Sequence, residues 1–156
     1  MNNYFIILAS GQSKRFNSTK AKQFIIYKNR ALFKHSLDKA IKSKLFKKIV
    51  IVTSSKKQIQ TKDFKDLIII KGGKERFDSS LIALKFIKKF KPNNVLIHDA
   101  ARPDFSINLL KRLVNFLKNN KAVVPVISPK DSTKYKIKTQ LYNLKRKNIY
   151  LTQTPQ

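Results

Sequence analysis

The first loop with residues suited to phosphate chemistry follows an apolar run near the start of the chain. It reads Ala9-Ser10-Gly11 and is followed by the cations Arg15 and Lys22. Such a turn lets backbone N–H groups face a polyphosphate, and the nearby cations neutralise its charge. The loop fits neither the G-x-x-x-x-G-K-S/T pattern nor G-x-G-x-x-G. It therefore predicts a phosphate site of another kind, and a solvated basic loop is the alternative.

A second loop ends the apolar stretch 95–97 with an acid, two small residues and a cation. It reads His98-Asp99-Ala100-Ala101-Arg102. An aspartate at the carboxyl end of a buried strand is a typical ligand for a Mg²⁺ ion that bridges nucleotide phosphates. The alanines leave room for a ligand beside it. We therefore predict that Asp99 is a Mg²⁺ ligand in a one-metal site, and we interpret His98 as a hydrogen-bonded strand-end residue rather than a base.

A third loop, residues 72–80, begins with two glycines and continues into a helical pattern. Gly72 and Gly73 let the backbone approach a ligand closely, and Asp78 or Ser79 can cap the helix that follows. This pattern predicts a ligand-facing turn. The alternative is a tight strand-to-helix connection that binds nothing.

Short apolar runs alternate with helical patterns along the chain. The runs 4–9, 49–53, 67–70, 95–98 and 122–126 are typical of buried parallel strands. Helical spacing is found at 31–45, at 79–90 with Leu81, Leu84, Ile87 and Phe90 on the predicted buried face, and at 107–117. The alternation predicts a three-layer α/β fold with a mostly parallel sheet and right-handed crossovers. All three loops would then meet at the carboxyl edge of that sheet.

The remaining features concern domain organisation and location. A chain of 156 residues with 42% hydrophobic residues fits one domain, and we expect residues 128–147 to form an extended arm or hairpin. The absence of cysteine excludes disulfides and thiolate metal sites. The first apolar run is too short to span a membrane and lacks a basic flank. We therefore expect a cytoplasmic protein with no membrane partner.

The formal net charge of +27 first suggests a nucleic-acid partner, because Lys and Arg supply most sequence-independent affinity for phosphate backbones. However, the lysines are spread through nearly every segment, and no basic block is interleaved with aromatic residues. This distribution indicates a compositional drift of the whole chain. We expect anionic small molecules rather than nucleic acid as ligands.

Taken in order, these motifs resemble those of the 2-C-methyl-D-erythritol 4-phosphate cytidylyltransferase family along the whole chain. Leu8-Ala-Ser-Gly11 with Arg15 and Lys22-Gln23 is similar to the family's opening L-A-A/G-G-x-G-x-R-x(5)-P-K-Q. The other blocks are Gly72 to Ser79, His98 to Pro103, Pro125-Val126 with Asp131-Ser132-x-Lys134, and Gln153-Thr-Pro-Gln156. The resemblance implies a Rossmann-like nucleotidyltransferase sheet with a protruding β-arm.

The resemblance also implies a reaction, in which a cytidylyl group passes from CTP to methylerythritol phosphate and pyrophosphate is released. Arg15 and Lys22 would stabilise charge on the triphosphate and on the reacting phosphorus, and Asp99 would hold Mg²⁺. The residues implied to contact CTP are Ala9, Ser10, Gly11, Gly73, Ser79 and Ala100, and those implied to contact the sugar phosphate are Arg102, Ser132, Arg146 and Thr154. The arm would join a homodimer, with Arg146 acting in the neighbouring site.

The chain departs from the family pattern at Ser13, Ala21, Lys74 and Ser132, none of which removes a catalytic charge. The family continues well past its Thr-Pro-Gln block, so we expect the single domain to be incomplete at its C-terminus. Two alternatives stay open. One is a ribitol 5-phosphate cytidylyltransferase, against which the small Ala101 argues; the other is a non-catalytic basic binder, whose affinity would fall steeply with salt.

We expect Arg15→Ala to be the most damaging single change. Removal of one donor that acts in the transition state lowers turnover by about 10²-fold or more. Release of pyrophosphate from CTP in the presence of methylerythritol phosphate measures this loss. Near-normal turnover of the variant would contradict the role of Arg15.

Overall fold

The computed structural model describes residues 1–11, 21–55, 57, 59 and 65–156. Within these ranges the helices are α1 Leu32–Ser43, α2 Arg76–Ile87 and α3 Ile107–Phe116. The strands are β1 Asn3–Ala9, β2 Ile26–Tyr27, β3 Arg30–Ala31, β4 Lys48–Thr53, β5 Leu67–Lys71, β6 Asn94–Asp99, β7 Val126–Ile127, β8 Lys134–Ile137, β9 Gln140–Asn143 and β10 Leu151–Thr152. Short 3₁₀ turns span Lys22–Phe24, Lys88–Phe90 and Arg146–Asn148.

The central sheet consists of parallel strands in the order β5-β4-β1-β6. Ile6 of β1 lies between Val50 of β4 and Ile97 of β6. Every residue of β1 is buried, because helices cover both faces of a parallel sheet, and this explains the continuous apolar run. The predicted parallel α/β architecture is confirmed, and the carboxyl ends of β1, β4, β5 and β6 share one edge.

Helices pack on both faces of the sheet, which gives three layers. On one face, α1 and α3 contribute Phe33, Leu37 and Leu110 to a core with the odd-numbered side chains of β1. On the other face, α2 contributes Ala83 and Ile87 to a core with the even-numbered ones. In the parts of the chain that the structure describes, no helix has the length and apolarity needed to cross a bilayer.

The buried face of α2 agrees with the predicted one at Ile87 but not at Leu81 and Leu84. Leu81 and Leu84 are 38% and 39% exposed, whereas Ser79, Ala83 and Ile87 are buried. These three residues follow one another at four-residue spacing and so share one helix face. Two of them are small, which brings the first turns of α2 close to the sheet. The prediction followed the larger leucines, which lie on the solvent side.

The predicted buried strand 122–126 was wrong. Residues 122–125 form no strand, and Val126 begins β7, which pairs antiparallel with β10 outside the central sheet. Val124 and Val126 are both exposed. Pro125 has no N–H to donate to a central ladder, and its carbonyl instead accepts from the Gln153 N–H at 2.8 Å. The segment therefore forms a short ribbon with the end of the chain.

The predicted extended arm corresponds to a β-hairpin made by β8 and β9. All residues of both strands are exposed, and Tyr135 faces Tyr142 across the ladder with ring centroids 5.2 Å apart. Its use in a homodimer stays a prediction.

Candidate active site

The loops that follow β1, β5 and β6 meet at the carboxyl edge of the sheet, as the parallel topology requires. The hydroxyl of Ser10, just after β1, lies 2.7 Å from that of Ser79 on α2. Ala100, just after β6, donates its N–H to the carbonyl of Leu8 at 3.0 Å. The structure therefore brings Ser10, Ser79 and Ala100 together, three of the residues predicted to contact CTP.

The two glycines of the third loop are required by close packing. A Cβ on Gly72 would lie 2.6 Å from the Ser10 Cβ and 2.9 Å from the Ser79 Oγ, and one on Gly73 would lie 2.3 Å from the Asp78 Cβ. Carbon atoms do not approach to 2.3 or 2.6 Å, so a side chain at Gly72 would displace Ser10 and one at Gly73 would displace Asp78. The Gly73 N–H donates to the Ser79 Oγ at 3.2 Å. Gly73 thus lies beside Ser79, another residue predicted to contact CTP, and Gly72 packs against Ser10.

The start of α2 differs in detail from the prediction. The helix begins at Arg76, three residues earlier than expected, and the Asp78 carboxylate accepts from the backbone N–H of Glu75 at 3.0 Å. The N-cap is therefore Glu75 rather than either predicted residue, and Asp78 completes the capping box from the third helical position. Ser79 is buried and bonds to Ser10 and Gly73 instead.

Asp99 lies between two arginines at the end of β6. Its Oδ1 accepts from the Nε of Arg76 at 2.9 Å, and its Oδ2 lies 3.7 Å from the Nε of Arg102. The sequence interpretation assigned no role to Arg76, although the Gly-Gly-x-x-Arg spacing marked its position. The two ion pairs hold the carboxylate at the sheet edge.

The predicted Mg²⁺ role of Asp99 stays a prediction, and one carboxylate is compatible with it only where waters or phosphate oxygens complete the coordination. Throughout the described part of the chain, no group of three or more His, Cys, Asp or Glu residues could hold a metal. The described residues therefore form no metal site made of protein ligands alone. Mg²⁺ commonly keeps its waters and takes only one or two carboxylates plus phosphate oxygens. The side chain of Asp99 is 26% exposed, so it is open to such a ligand.

His98 is fully buried and bridges two elements. Its Nε2 lies 3.0 Å from the Ser36 Oγ of α1, and its Nδ1 lies 3.1 Å from the Thr154 Oγ1 near the C-terminus. Burial lowers the pKa of His98 to about 4, against the opposing effect of the Asp99 charge. The ring is therefore neutral at pH 7, and its two nitrogens act as one donor and one acceptor. This confirms the prediction of a hydrogen-bonded strand-end residue.

The residues predicted for the sugar phosphate fall into two groups. Thr154 lies beside the Asp99 loop, with its Oγ1 3.5 Å from the Asp99 N, and Arg102 donates to the Gln153 Oε1 at 3.3 Å. Ser132 and Arg146 instead lie in the segment that carries the hairpin. Arg146 donates a hydrogen bond to the carbonyl of Lys130 at 2.8 Å. The structure thus places two of these four residues at the edge that carries Asp99.

Of the two predicted catalytic cations, Lys22 begins the 3₁₀ turn after Ala21, and Arg15 lies outside the described residues. The residue next to Lys22 was not assigned a role from the sequence. Gln23 is 4% exposed, and its side-chain amide donates to the carbonyls of Ala9 at 2.8 Å and of Gly11 at 2.9 Å. Its place in the Lys22-Gln23 motif was the only signal available, since its partners are more than ten residues away.

We expect the stability of the protein to fall as the pH drops from 6.5 to 4, in part through His98. Its pKa of about 4 lies below the ordinary value of 6.5, so the unfolded chain binds more protons over this range. Above pH 6.5 His98 makes its full contribution to the free energy of unfolding. Below pH 4 that contribution, about 3 kcal/mol, is lost. Urea unfolding of the wild type and of His98→Gln, which share every carboxylate, measures it. Equal pH dependence in both would contradict the assignment.

Comparison with known proteins places the chain in a family. The model of the family "IspD: 2-C-methyl-D-erythritol 4-phosphate cytidylyltransferase" matches residues 4–156. The chain is 51% identical to the bifunctional enzyme IspD/IspF of Pelagibacter ubique, over 100% of this chain and 43% of that protein. It is 32% identical to the 2-C-methyl-D-erythritol 4-phosphate cytidylyltransferase of Caldicellulosiruptor bescii, over 97% of this chain and 70% of that one.

Solved structures of proteins with related names also match the fold of this chain. The bifunctional IspDF of Campylobacter jejuni matches with a TM-score of 0.83 and 32% identity, over 99% of this chain and 40% of that one. The 2-C-methyl-D-erythritol 4-phosphate cytidylyltransferase of Francisella tularensis matches with a TM-score of 0.81 and 29% identity, over 99% of this chain and 71% of that one. The chain thus spans less than half of the bifunctional relatives and about 70% of the others. It belongs to the 2-C-methyl-D-erythritol 4-phosphate cytidylyltransferase family.

Proposed function

We propose that this protein transfers a cytidylyl group from CTP to 2-C-methyl-D-erythritol 4-phosphate. The products are CDP-methylerythritol and pyrophosphate. The observation that carries the proposal is the meeting of the Ser10, Ser79 and Asp99 loops at one sheet edge, in a chain of this family. Every sequence block that resembles the family pattern, apart from the hairpin block, contributes a residue to that edge or flanks it.

The proposed reaction needs no general base. A phosphate oxygen of methylerythritol phosphate is already ionised at pH 7 and attacks the α-phosphorus of CTP. The new P–O bond forms while the bond from that phosphorus to the pyrophosphate oxygen breaks. Catalysis then reduces to alignment of the two phosphates and stabilisation of the charge on them. The burial of His98 supports this chemistry, because the neutral ring is fully engaged by Ser36 and Thr154.

The roles of the residues follow from their positions. Arg15 and Lys22 would stabilise charge on the triphosphate, and the nucleotide would lie along Ala9 to Gly11, Gly73, Ser79 and Ala100. Arg102 and Thr154, both beside Asp99, would hold the phosphate of the sugar. The loop packing at Gly72 supports this arrangement, because it leaves the Ser10 and Ser79 hydroxyls fixed against each other.

Asp99 is the residue that would hold Mg²⁺. When bound, the ion would neutralise charge on the triphosphate and orient it. Without it, the guanidinium groups of Arg76 and Arg102 keep the carboxylate in place and compensate its charge. Both arginine side chains are about half exposed, at 50% and 55%, so they are free of the packing that would prevent them from turning to phosphate oxygens.

We also propose a homodimer formed through the hairpin, and a cytoplasmic location where CTP is made and used. The hairpin segment exposes a set of large apolar side chains, which is typical of a surface that another chain covers. They are Tyr135, Ile137, Leu141, Tyr142 and Leu144. Ser132 and Arg146 lie in the same segment, which supports a role for them in the site of the second subunit.

The function is tested by release of pyrophosphate from CTP, Mg²⁺ and methylerythritol phosphate with the full-length gene product. Asp99→Asn keeps the shape of the side chain but removes its charge, and we expect turnover to fall by about 10²-fold or more. The matched control is Asp66→Asn. Asp66 is also ion-paired, to Lys48 at 3.0 Å, but it precedes β5 at the opposite edge of the sheet.

Three results would count against the proposal. They are a wild type that releases no pyrophosphate, a preference for ribitol 5-phosphate when both acceptors compete, and an Asp99→Asn variant as active as the Asp66→Asn control.

A further inference from the structure

One buried side chain at the carboxyl edge has no part in the chemistry described above. Gln23 lies in the 3₁₀ turn Lys22–Phe24, and only 4% of it is exposed. Its Nε2 is 2.8 Å from the carbonyl oxygen of Ala9 and 2.9 Å from that of Gly11. A side-chain amide carries two N–H donors, so these two bonds use both of them.

The two bonds fix the backbone on both sides of Ser10. In a trans peptide the carbonyl and the following N–H point in opposite directions. Holding the carbonyl of Ala9 against Gln23 therefore sets the direction of the Ser10 N–H, and the second bond fixes the carbonyl of Gly11. The side chain of Ser10 is fixed independently by its bond of 2.7 Å to the Ser79 hydroxyl.

Gln23 also links the two parts of the chain that carry the predicted phosphate contacts. Ala9 and Gly11 flank the turn after β1, and Lys22 precedes Gln23 directly in the sequence. The Ala9 bond is buried, and a buried carbonyl that loses its donor is costly. Loss of the amide would therefore drive the turn toward water or toward another donor, away from its present orientation.

We propose that Gln23 is a positioning residue for the nucleotide, which it serves by holding the Ala9–Gly11 turn and Lys22 in register with each other. Gln23 touches no substrate in this role; it acts through the peptide groups of the turn and through its neighbour. The inference rests on the proposed function for the identity of the ligand, CTP. The inference predicts that losing the Gln23 N–H groups weakens nucleotide binding by more than the accompanying loss of stability explains.

A second buried amide offers a matched control at the other end of β1. Asn3 is 3% exposed, its Nδ2 donates to the carbonyl of Leu45 at 3.1 Å, and its Oδ1 accepts from the Nδ2 of Asn94 at 2.9 Å. Asn3, the first residue of β1, and Gln23, which bonds to the last residue of that strand, therefore each make two side-chain hydrogen bonds from a buried position. Only Gln23 lies at the edge that carries Ser10 and Asp99.

The experiment uses the full-length gene product with the variants Gln23→Met, Gln23→Asn and Asn3→Leu. Calorimetry measures the Kd for CTP with Mg²⁺, steady-state kinetics measure kcat and both KM values, and thermal unfolding without nucleotide measures stability. Gln23→Met keeps the volume but has no donor. We expect it to weaken CTP binding by about tenfold or more, as the loss of two buried hydrogen bonds would.

The kinetic pattern should be equally specific. Gln23→Met should raise the KM for CTP more than it lowers kcat, and leave the KM for methylerythritol phosphate unchanged, because it removes binding rather than an interaction special to the transition state. Gln23→Asn keeps the donors on a shorter stem and should give an intermediate Kd. Asn3→Leu should lower the unfolding temperature while CTP still binds as in the wild type.

The outcomes separate this inference from the proposed function. If the wild type neither binds CTP nor releases pyrophosphate, the proposed function fails, and this inference fails with it. If the wild type binds CTP and a folded Gln23→Met variant binds it equally well, the proposed function stands and the positioning role is overturned. Equal losses of CTP affinity in Asn3→Leu and Gln23→Met would also overturn it, because both would then reflect stability alone.

Discussion

Parallel hydrogen bonding of β1 to both β4 and β6 is the constraint on which the site depends. This pairing aligns Ala9 with Thr53 and Leu8 with Asp99, so the loops after these strands emerge side by side. Residues from separate parts of the chain then need only short side chains to meet, as Ser10 and Ser79 do. The burial of β1 on both faces specifies its register, because a slip by one residue would exchange the side chains around which the two cores are packed.

Charge is distributed at this edge in a way that suits a polyanion. The chain carries 35 basic and 8 acidic residues, yet the acid at the end of β6 is held by two arginines rather than left to repel a phosphate. Cations here are attached to turns and helix starts, whereas the centre of the edge is made of small residues, hydroxyls and glycines. A ligand can therefore lie close to the backbone while cations on either side neutralise its charge.

The sequence predicted the features that depend on local pattern. Continuous apolar runs identified β1, β4, β5 and β6, and the shared carboxyl edge of parallel strands placed Ser10, Ser79 and Asp99 together. Prediction failed where packing decided the outcome. The small Ala83 faces the sheet instead of Leu81, and the run 122–126 pairs with β10 instead of the sheet.

Two residues of the site escaped prediction for a related reason. Arg76 and Gln23 act through partners 23 and at least 12 positions away, and no periodicity in a single sequence encodes such bonds. The opposite case is His98, whose isolated position in an apolar strand already indicated a structural role. Its bonds to Ser36 and Thr154 explain why the strand tolerates an imidazole.

The central claim is that CTP binds across the three loops at the carboxyl edge of the sheet. Hydrogen–deuterium exchange with and without CTP and Mg²⁺ tests it most directly, because it reports on each backbone segment separately. The account predicts slower exchange in peptides that cover residues 9–11, 72–79 and 98–102, with no change in α3. Protection confined to other segments, or none at saturating CTP, would contradict it.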